Sequence, residues 1–146
     1  MAVNTVFKTI LVALDSSDLS ARVVETLKGL DLQPETKIIF SHVITPVETG
    51  LEGPADLPST DPQMGIYRHI EQQLQSYRSH FSCPSELEIV MGDPAEEIVR
   101  LANIHRASLI VIGSRGLTGV SRIVQGSVSS QVVSDAGCSV LVVKPG

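Results

Sequence analysis

Glycines and serines with anion-binding chemistry are concentrated in one stretch of the chain, residues 113–127 (GSRGLTGVSRIVQGS). An apolar run at 109–112 precedes it and predicts a buried strand, and apolar residues at helical spacing follow it over 128–136. Glycines allow a ligand to approach the main chain, and a helix start offers unpaired N–H groups and a positive dipole end. A glycine loop between a strand and a helix therefore favours a phosphate site.

Serine and arginine side chains in and after this loop could extend such a site. The hydroxyls of Ser127 and Ser129 would donate to phosphate oxygens, but a serine at a helix start is equally explained as a cap. Arg115 would either pair with a phosphate or remain a mobile surface arginine. Ser129 and Ser130 could also accept a phosphoryl group. The spacing alone leaves these alternatives open.

Other nucleotide-binding and catalytic motifs are missing from the sequence. It contains no G-x-x-x-x-G-K-[ST] loop, no G-x-G-x-x-G after its first strand and no G-x-S-x-G elbow. The histidines lie on separate predicted elements, and His42 within a predicted strand is explained as a core or edge residue. Cys83 and Cys138 have no metal-ligand spacing. We therefore predict no catalytic residues, no protein-held metal and reduced cysteines.

Strands and helices that would position the loop alternate along the chain. Apolar, β-branched runs predict strands at 7–14, 37–44, 87–91, 108–112 and 139–143. Between these runs, apolar residues recur at helical spacing. The proline-containing residues 45–62 are the exception. The first helix would bury Ala21, Val24 and Leu27. It would be capped by side chains of 16–18 and would end at Gly29.

Two further helices have clear limits in the sequence. An apolar repeat over 66–81 predicts the second helix, which Pro84 would end. The third would begin with Asp93 as its N-cap and Pro94 at its first position, and Glu96 would complete a capping box.

The alternating order predicts one α/β domain over 1–146, a doubly wound, open five-stranded parallel sheet with helices on both faces. Ligands of such sheets bind beyond the carboxyl ends of the strands, where the strand order switches. Asp15, Val43 and Gly113 end the first, second and fourth strands, so they should meet near the glycine loop. Asp15 would cap the first helix or accept a hydrogen bond from adenine or ribose.

Residues 45–62 interrupt this alternation. They contain four of the chain's eight prolines and several carboxylates whose spacing matches no EF-hand. We expect an irregular segment that is functional or disordered, with its acidic side chains in solvent.

Charge, aromatic content and hydropathy indicate which kinds of partner the protein does not bind. The net charge is −5 and only 3% of residues are aromatic, which argues against a nucleic-acid surface. No apolar run reaches membrane-spanning length, and no secretory signal is recognisable. We therefore expect a cytoplasmic protein that contacts neither membrane nor nucleic acid.

The four positions Gly113, Gly116, Gly126 and Ser127 form G-x2-G-x9-G-[ST], which resembles the nucleotide-binding signature of the universal stress protein family. The resemblance extends from ILVALD at 10–15 to VLVV at 140–143. It implies a Rossmann-like fold of the adenine nucleotide alpha hydrolase type. It also implies binding of ATP, or of AMP or ADP, with Mg²⁺ held by the phosphates. Ser108 stands where the family usually has aspartate, before the fourth strand. Because this position is away from the loop end of the strand, the difference should affect packing and not ligand binding.

The resemblance assigns roles to individual positions. Residues at the ends of the first two strands would surround adenine: Ala13, Leu14, Asp15 and Val43. The end of the fourth strand and the following loop would contact ribose and phosphates: Ile112, Gly113, Arg115 and Gly116. The start of the last helix would close on the phosphate chain: Gly126, Ser127, Val128 and Ser129.

The family is typically dimeric, so a homodimer through 139–143 is expected, together with an unidentified protein partner. We predict a nucleotide-binding protein of stress response or signalling that is not an enzyme. The alternatives are a slow ATPase or self-phosphorylating enzyme, a binder of AMP or a cyclic nucleotide, and a dimerisation module with a vestigial site.

Overall fold

The computed structural model describes residues 7–15, 17–45, 62–114 and 127–145, with the side chains of residues 62 and 63 left out. The strands are β1 Thr9–Ala13, β2 Lys37–Ile44, β3 Ser85–Met91, β4 Leu109–Gly113 and β5 Ser139–Val143. The helices are α1 Leu19–Lys28, α2 Pro62–Arg78, α3 Pro94–His105 and α4 Ser127–Asp135. Nearly all of the predicted segment 45–62 lies outside the described residues, although its last residue, Pro62, begins α2.

The five strands form one parallel sheet in the order β3-β2-β1-β4-β5. From β1 the chain passes to β2 on one side, and later crosses back to place β4 on the other side. The switch in strand order therefore falls between β1 and β4, where Ala13 is paired with Ile112. The predicted doubly wound parallel fold is confirmed.

Both faces of the sheet are packed by helices, because successive residues of a strand point to opposite faces. Ile10 and Val12 of β1 belong to a core shared with α1 and α2, whereas Leu11 between them belongs to a core shared with α3 and α4. All three side chains are fully buried. Each such burial stabilises the fold by roughly 1.5–3 kcal/mol.

Helix α1 buries a different face from the one predicted. Val24 and Leu27 are buried as expected, but Ala21 is exposed, and Leu19 and Val23 take its place in the core. The predicted cap is also wrong for Asp18, which occupies the N-cap position but makes no side-chain cap hydrogen bond. Gly29 ends the helix as predicted.

The limits of several elements differ from those predicted. Strand β1 is shorter than the predicted 7–14, and β3 begins at Ser85 because its first residue already pairs with Ile38 of β2. Helix α2 ends at Arg78, ahead of Pro84, and Phe81 beyond it packs on Phe40 with ring centroids 5.7 Å apart. Fully buried Phe40 therefore has an aromatic neighbour from outside the helix.

The start of α3 agrees with its sequence pattern. The Asp93 carboxylate accepts from the Glu96 amide at 3.0 Å, and Pro94 is the first helical residue. The reciprocal capping-box bond from the Glu96 side chain is absent from the hydrogen bonds of the described residues. Ser108 joins β4 to β1, because its amide and its hydroxyl both donate to the Thr9 carbonyl, at 2.8 and 3.2 Å. Ser108 therefore connects the two strands by hydrogen bonds at their amino ends.

Candidate functional site

A cleft opens where the carboxyl ends of β1 and β4 diverge. It has an empty volume of about 460 Å³, part of which is open to solvent. The residues that line the cleft come from β1, β2, β4 and the starts of α1, α3 and α4: Ala13, Leu14, Asp15, Leu19, Ser20, Val23, Ser41, Val43, Pro94, Ile98, Ile112, Gly113 and Val128.

The structure brings together most of the predicted site residues that it describes. Those that line the cleft are Ala13, Leu14, Asp15, Val43, Ile112, Gly113 and Val128. Ser127 is exposed at the start of α4, and Ser129 is buried, with 6% of its surface exposed; neither residue lines the cleft. Arg115, Gly116 and Gly126 lie outside the described residues.

Several lining residues were not predicted from the sequence. Leu19, Ser20 and Val23 come from the first turns of α1, Ser41 from β2, and Pro94 and Ile98 from the start of α3. The helix starts follow the carboxyl ends of β1 and β3, so the fold rule that placed Asp15 also applies to them. Since Pro94 and Ile98 are one turn apart on a helix with a recognisable start, this pair could have been found.

The Asp15 carboxylate is the one ionisable side chain among the lining residues that the structure describes. Its Oδ1 accepts from the Ser17 amide at 2.8 Å, from the Ser17 hydroxyl at 2.5 Å and from the Ser20 hydroxyl at 3.0 Å. The described hydrogen bonds do not use Oδ2. Asp15 thus organises the turn into α1, but it does not cap the helix as predicted, because it accepts from no backbone amide of α1 and the N-cap position is that of Asp18. Among the described residues, Oδ2 remains available to another donor.

An apolar wall faces this polar corner. Val43, Pro94, Ile98, Ile112 and Val128 provide it from both sides of the strand switch. Ser41 adds no free hydroxyl to this wall, because its Oγ donates to the Val12 carbonyl at 2.9 Å inside the sheet. An apolar slot with a few converging polar groups is the usual composition of a site for a planar organic ligand.

Gly113 allows α1 to lie close against β4. A Cβ atom at this position would stand 2.6 Å from Leu19 Cδ2 and 2.9 Å from Leu19 Cγ. Both distances are shorter than real carbon–carbon contacts, so a side chain at this position would force the Leu19 side chain to shift. Gly113 therefore has a structural role in addition to any contact with a ligand.

Burial raises the pKa of two ionisable side chains in the described part of the chain. Burial, and to a smaller extent the Asp15 carboxylate, raises the pKa of the half-buried Tyr77 phenol. Burial also raises the pKa of the Cys138 thiol, and both cysteines are free. In the part of the chain that the structure describes, no three His, Cys, Asp or Glu side chains converge as metal ligands.

His42 and His105 have structural surroundings. His42 is 1% exposed within β2, in agreement with its prediction as a core residue. His105 Nε2 lies 2.5 Å from Glu88 Oε2 on the face of β3, and neither residue lines the cleft. Within the described residues, no helix combines the length and the apolarity needed to cross a membrane.

Sequence comparisons identify relatives over nearly the full chain. The family model of the universal stress protein family matches residues 7–144. Universal stress protein MJ0531 of Methanocaldococcus jannaschii is 28% identical over 148 aligned residues, covering 97% of this chain and 84% of the relative. The universal stress protein in the QAH/OAS sulfhydrylase 3′ region of Thermus aquaticus is 31% identical, covering 94% of this chain and 99% of the relative.

Solved structures share the fold. The hypothetical protein MJ0577 superposes with a TM-score of 0.81 and 26% identity, covering 97% of this chain and 99% of that one. A universal stress protein in complex with cAMP has a TM-score of 0.66 and 24% identity, with 97% and 100% covered. The Arabidopsis thaliana family protein At3g01520 with AMP bound has a TM-score of 0.64 and 22% identity, with 95% and 92% covered. With the matching family model, these likenesses show that the chain belongs to the universal stress protein family.

Proposed function

We propose that this protein binds an adenine nucleotide, ATP in the first place, in the cleft between β1 and β4. It would act in stress response or signalling by changing its contacts with a protein partner when the site is filled. The observation that carries the proposal is the cleft at the strand switch, with one carboxylate facing an apolar wall. Two proteins of the same fold hold cAMP and AMP, which supports the class of ligand.

The cleft divides naturally into two parts for such a ligand. The apolar wall that includes Val43, Pro94 and Ile98 suits the face of a purine, and Asp15 is an acceptor for ribose or adenine N–H and O–H groups. The phosphates would then extend from Gly113 towards the first turn of α4, where Ser127 ends the glycine signature and Val128 follows it. Mg²⁺, where present, would be held by the phosphates.

We propose that the protein binds ATP without hydrolysing it rapidly. We also propose that it acts in the cytoplasm. Among the described residues that line the cleft, none is a histidine or lysine that could act as a base or hold a γ-phosphate. Multiple-turnover hydrolysis should therefore stay far below the roughly 1–1,000 s⁻¹ of typical enzymes. A rate in that range that is lost in Asp15→Ala would favour the slow-ATPase alternative.

The decisive experiment is nucleotide identification followed by titration. Protein purified without added nucleotide is denatured, and the released small molecules are identified by mass spectrometry. The emptied protein is then titrated calorimetrically with ATP, ADP, AMP and cAMP. We expect an adenine nucleotide to be released and to bind again, with the order of affinities naming the physiological ligand. A protein that releases none and binds none of the four would refute the proposal.

Glycine variants test where the nucleotide binds. Gly116→Val and Gly126→Val place a side chain where the signature requires close approach of phosphate, so ATP affinity should fall by at least tenfold. Gly137→Val is the matched control, because a Cβ at Gly137 meets no atom within 4 Å. Equal ATP affinity in all three variants would exclude the glycine loop from the site.

A further inference from the structure

We propose that Ser20 is a positioning residue, which holds Asp15 so that its Oδ2 is presented to the ligand. This inference rests on the proposed function, because it assigns how the polar corner of the nucleotide site is kept in shape. Ser20 lines the same cleft and is 2% exposed. It would act on binding through Asp15.

The Ser20 hydroxyl makes its described hydrogen bonds with Asp15. Its Oγ accepts from the Asp15 amide at 2.9 Å, and it lies 2.7 Å from the Asp15 carbonyl oxygen and 3.0 Å from Oδ1. A hydroxyl has one hydrogen, so it donates to either the carbonyl or the carboxylate at one time. In both arrangements the first turn of α1 is joined to the residue that ends β1.

A buried hydroxyl in this place requires an explanation, because burial of an unpaired polar group is costly. Capping of the first-turn amides is the role of the N-cap residue, which is Asp18 in α1, and Ser20 is the second residue of the helix. The Ser20 hydroxyl instead points back to Asp15, while its amide donates to the Ser17 carbonyl at 3.1 Å. The described hydrogen bonds of the Ser20 side chain therefore hold Asp15 in position.

The consequence for Asp15 is a carboxylate held by one oxygen. Ser17 and Ser20 provide the donors that surround Oδ1, and Oδ2 is the oxygen outside this set. A carboxylate that is already oriented does not lose that rotational freedom when the ligand binds, so less of the interaction energy is spent on ordering. Without the Ser20 hydroxyl, the Asp15 amide also loses its partner and the end of β1 is no longer tied to α1.

A thermodynamic cycle separates this role from simple support of the fold. ATP affinity is measured for the wild type, Ser20→Ala, Asp15→Ala and the double variant. We expect Ser20→Ala to weaken binding on the order of tenfold when Asp15 is present, the effect of one lost hydrogen bond. In the Asp15→Ala background the same change should have no further effect. Equal losses in both backgrounds would overturn the proposal.

Thr26→Ala is the matched control for a lost hydroxyl on the same helix. The Thr26 hydroxyl donates to the Arg22 carbonyl at 2.9 Å on the exposed side, away from Asp15. We expect its removal to leave ATP affinity unchanged. A loss equal to that of Ser20→Ala would assign the effect to α1 as a whole and overturn the proposal.

Amide hydrogen exchange tests the same geometry without nucleotide. In Ser20→Ala the Asp15 amide should exchange at least tenfold faster, while the amides of buried Val23 and Val24 keep their protection. Unchanged exchange at Asp15 would overturn the positioning role. If the wild type binds no adenine nucleotide, the proposed function fails and the ligand part of this inference fails with it. The exchange result then still decides whether Ser20 holds Asp15.

Discussion

Gly113 shows at the scale of one residue how a position in a ligand signature can also be required by packing. The family resemblance implies contact of Gly113 with ribose and phosphate, and the structure adds that Leu19 of α1 lies where a side chain at this position would be. Leu19 is itself part of the cleft wall. A substitution at Gly113 therefore alters the cleft lining in two ways: at Gly113 itself and by displacing Leu19.

The packing role predicts a measurable coupling between these two residues. Gly113→Ala should destabilise the fold by about 1–3 kcal/mol through overpacking, and Leu19→Ala by about 2–5 kcal/mol through loss of buried contacts. In the double variant the added methyl enters the space that Leu19 has left. Its destabilisation should fall short of the sum by about 1 kcal/mol or more. Denaturant unfolding of the four proteins measures this coupling, and strictly additive free energies would contradict the contact.

At the scale of elements, the end of α3 contains a left-handed residue that is not glycine. Arg106 is exposed and has φ 53° and ψ 45°. The amide of the next residue, Ala107, donates to the Ala102 carbonyl at 2.8 Å. Helices ending in this conformation usually carry glycine there. The absence of glycine explains why the sequence did not predict where α3 ends.

Replacing this residue should stabilise the protein. Arg106→Gly removes the steric cost of the left-handed conformation, so the free energy of unfolding should rise by about 0.5–1 kcal/mol after the greater chain entropy of glycine is counted. Arg106→Ala is the control, because it removes the same long side chain but keeps the strained backbone. Chemical denaturation compares the three proteins. A loss of stability in Arg106→Gly would contradict the assignment of strain to this position.

Local patterns explain which elements and site residues were predictable. The apolar runs of the strands and the Asp93 cap are decided by neighbours in sequence, and the structure agrees with them. Ala21 was assigned to the core by periodicity alone, but the orientation of α1 depends on how closely Leu19 approaches Gly113. Ser20 was missed for a related reason, because its bonds to Asp15 form only when α1 folds back on the end of β1.

The two edges of the sheet differ in charge. On β3, Glu86 pairs with Lys37 at 2.8 Å and Glu88 pairs with His105. The hydrogen bond from Lys37 lowers the pKa of Glu86, so this carboxylate remains charged over a wider pH range. Charged side chains on an edge strand oppose pairing with another chain. Strand β5, Ser139–Val143, carries none.

At the scale of the whole molecule, this difference favours association through β5. The residues Val140, Leu141 and Val142 are only half-buried, although β5 pairs with β4 along its whole length. An apolar edge with free main-chain groups is stabilised by pairing with another strand, and a two-fold interface removes both edges at once. We therefore propose a homodimer in which β5 strands of two copies pair antiparallel. The cleft between β1 and β4 would lie outside this pairing.

A lysine on the edge strand tests the interface. Val140→Lys places a charge in the proposed strand pair, so it should convert a dimer into a monomer in sedimentation at micromolar concentration. Val133→Lys is the control, because Val133 is 53% exposed on α4 and its replacement adds the same charge outside the strand. Far-ultraviolet circular dichroism establishes that both variants are folded. A monomeric wild type, or a dimer that survives Val140→Lys, would refute β5 as the interface. If the dimer also transmits nucleotide binding to a partner, ATP should change the dimer's dissociation constant in the wild type.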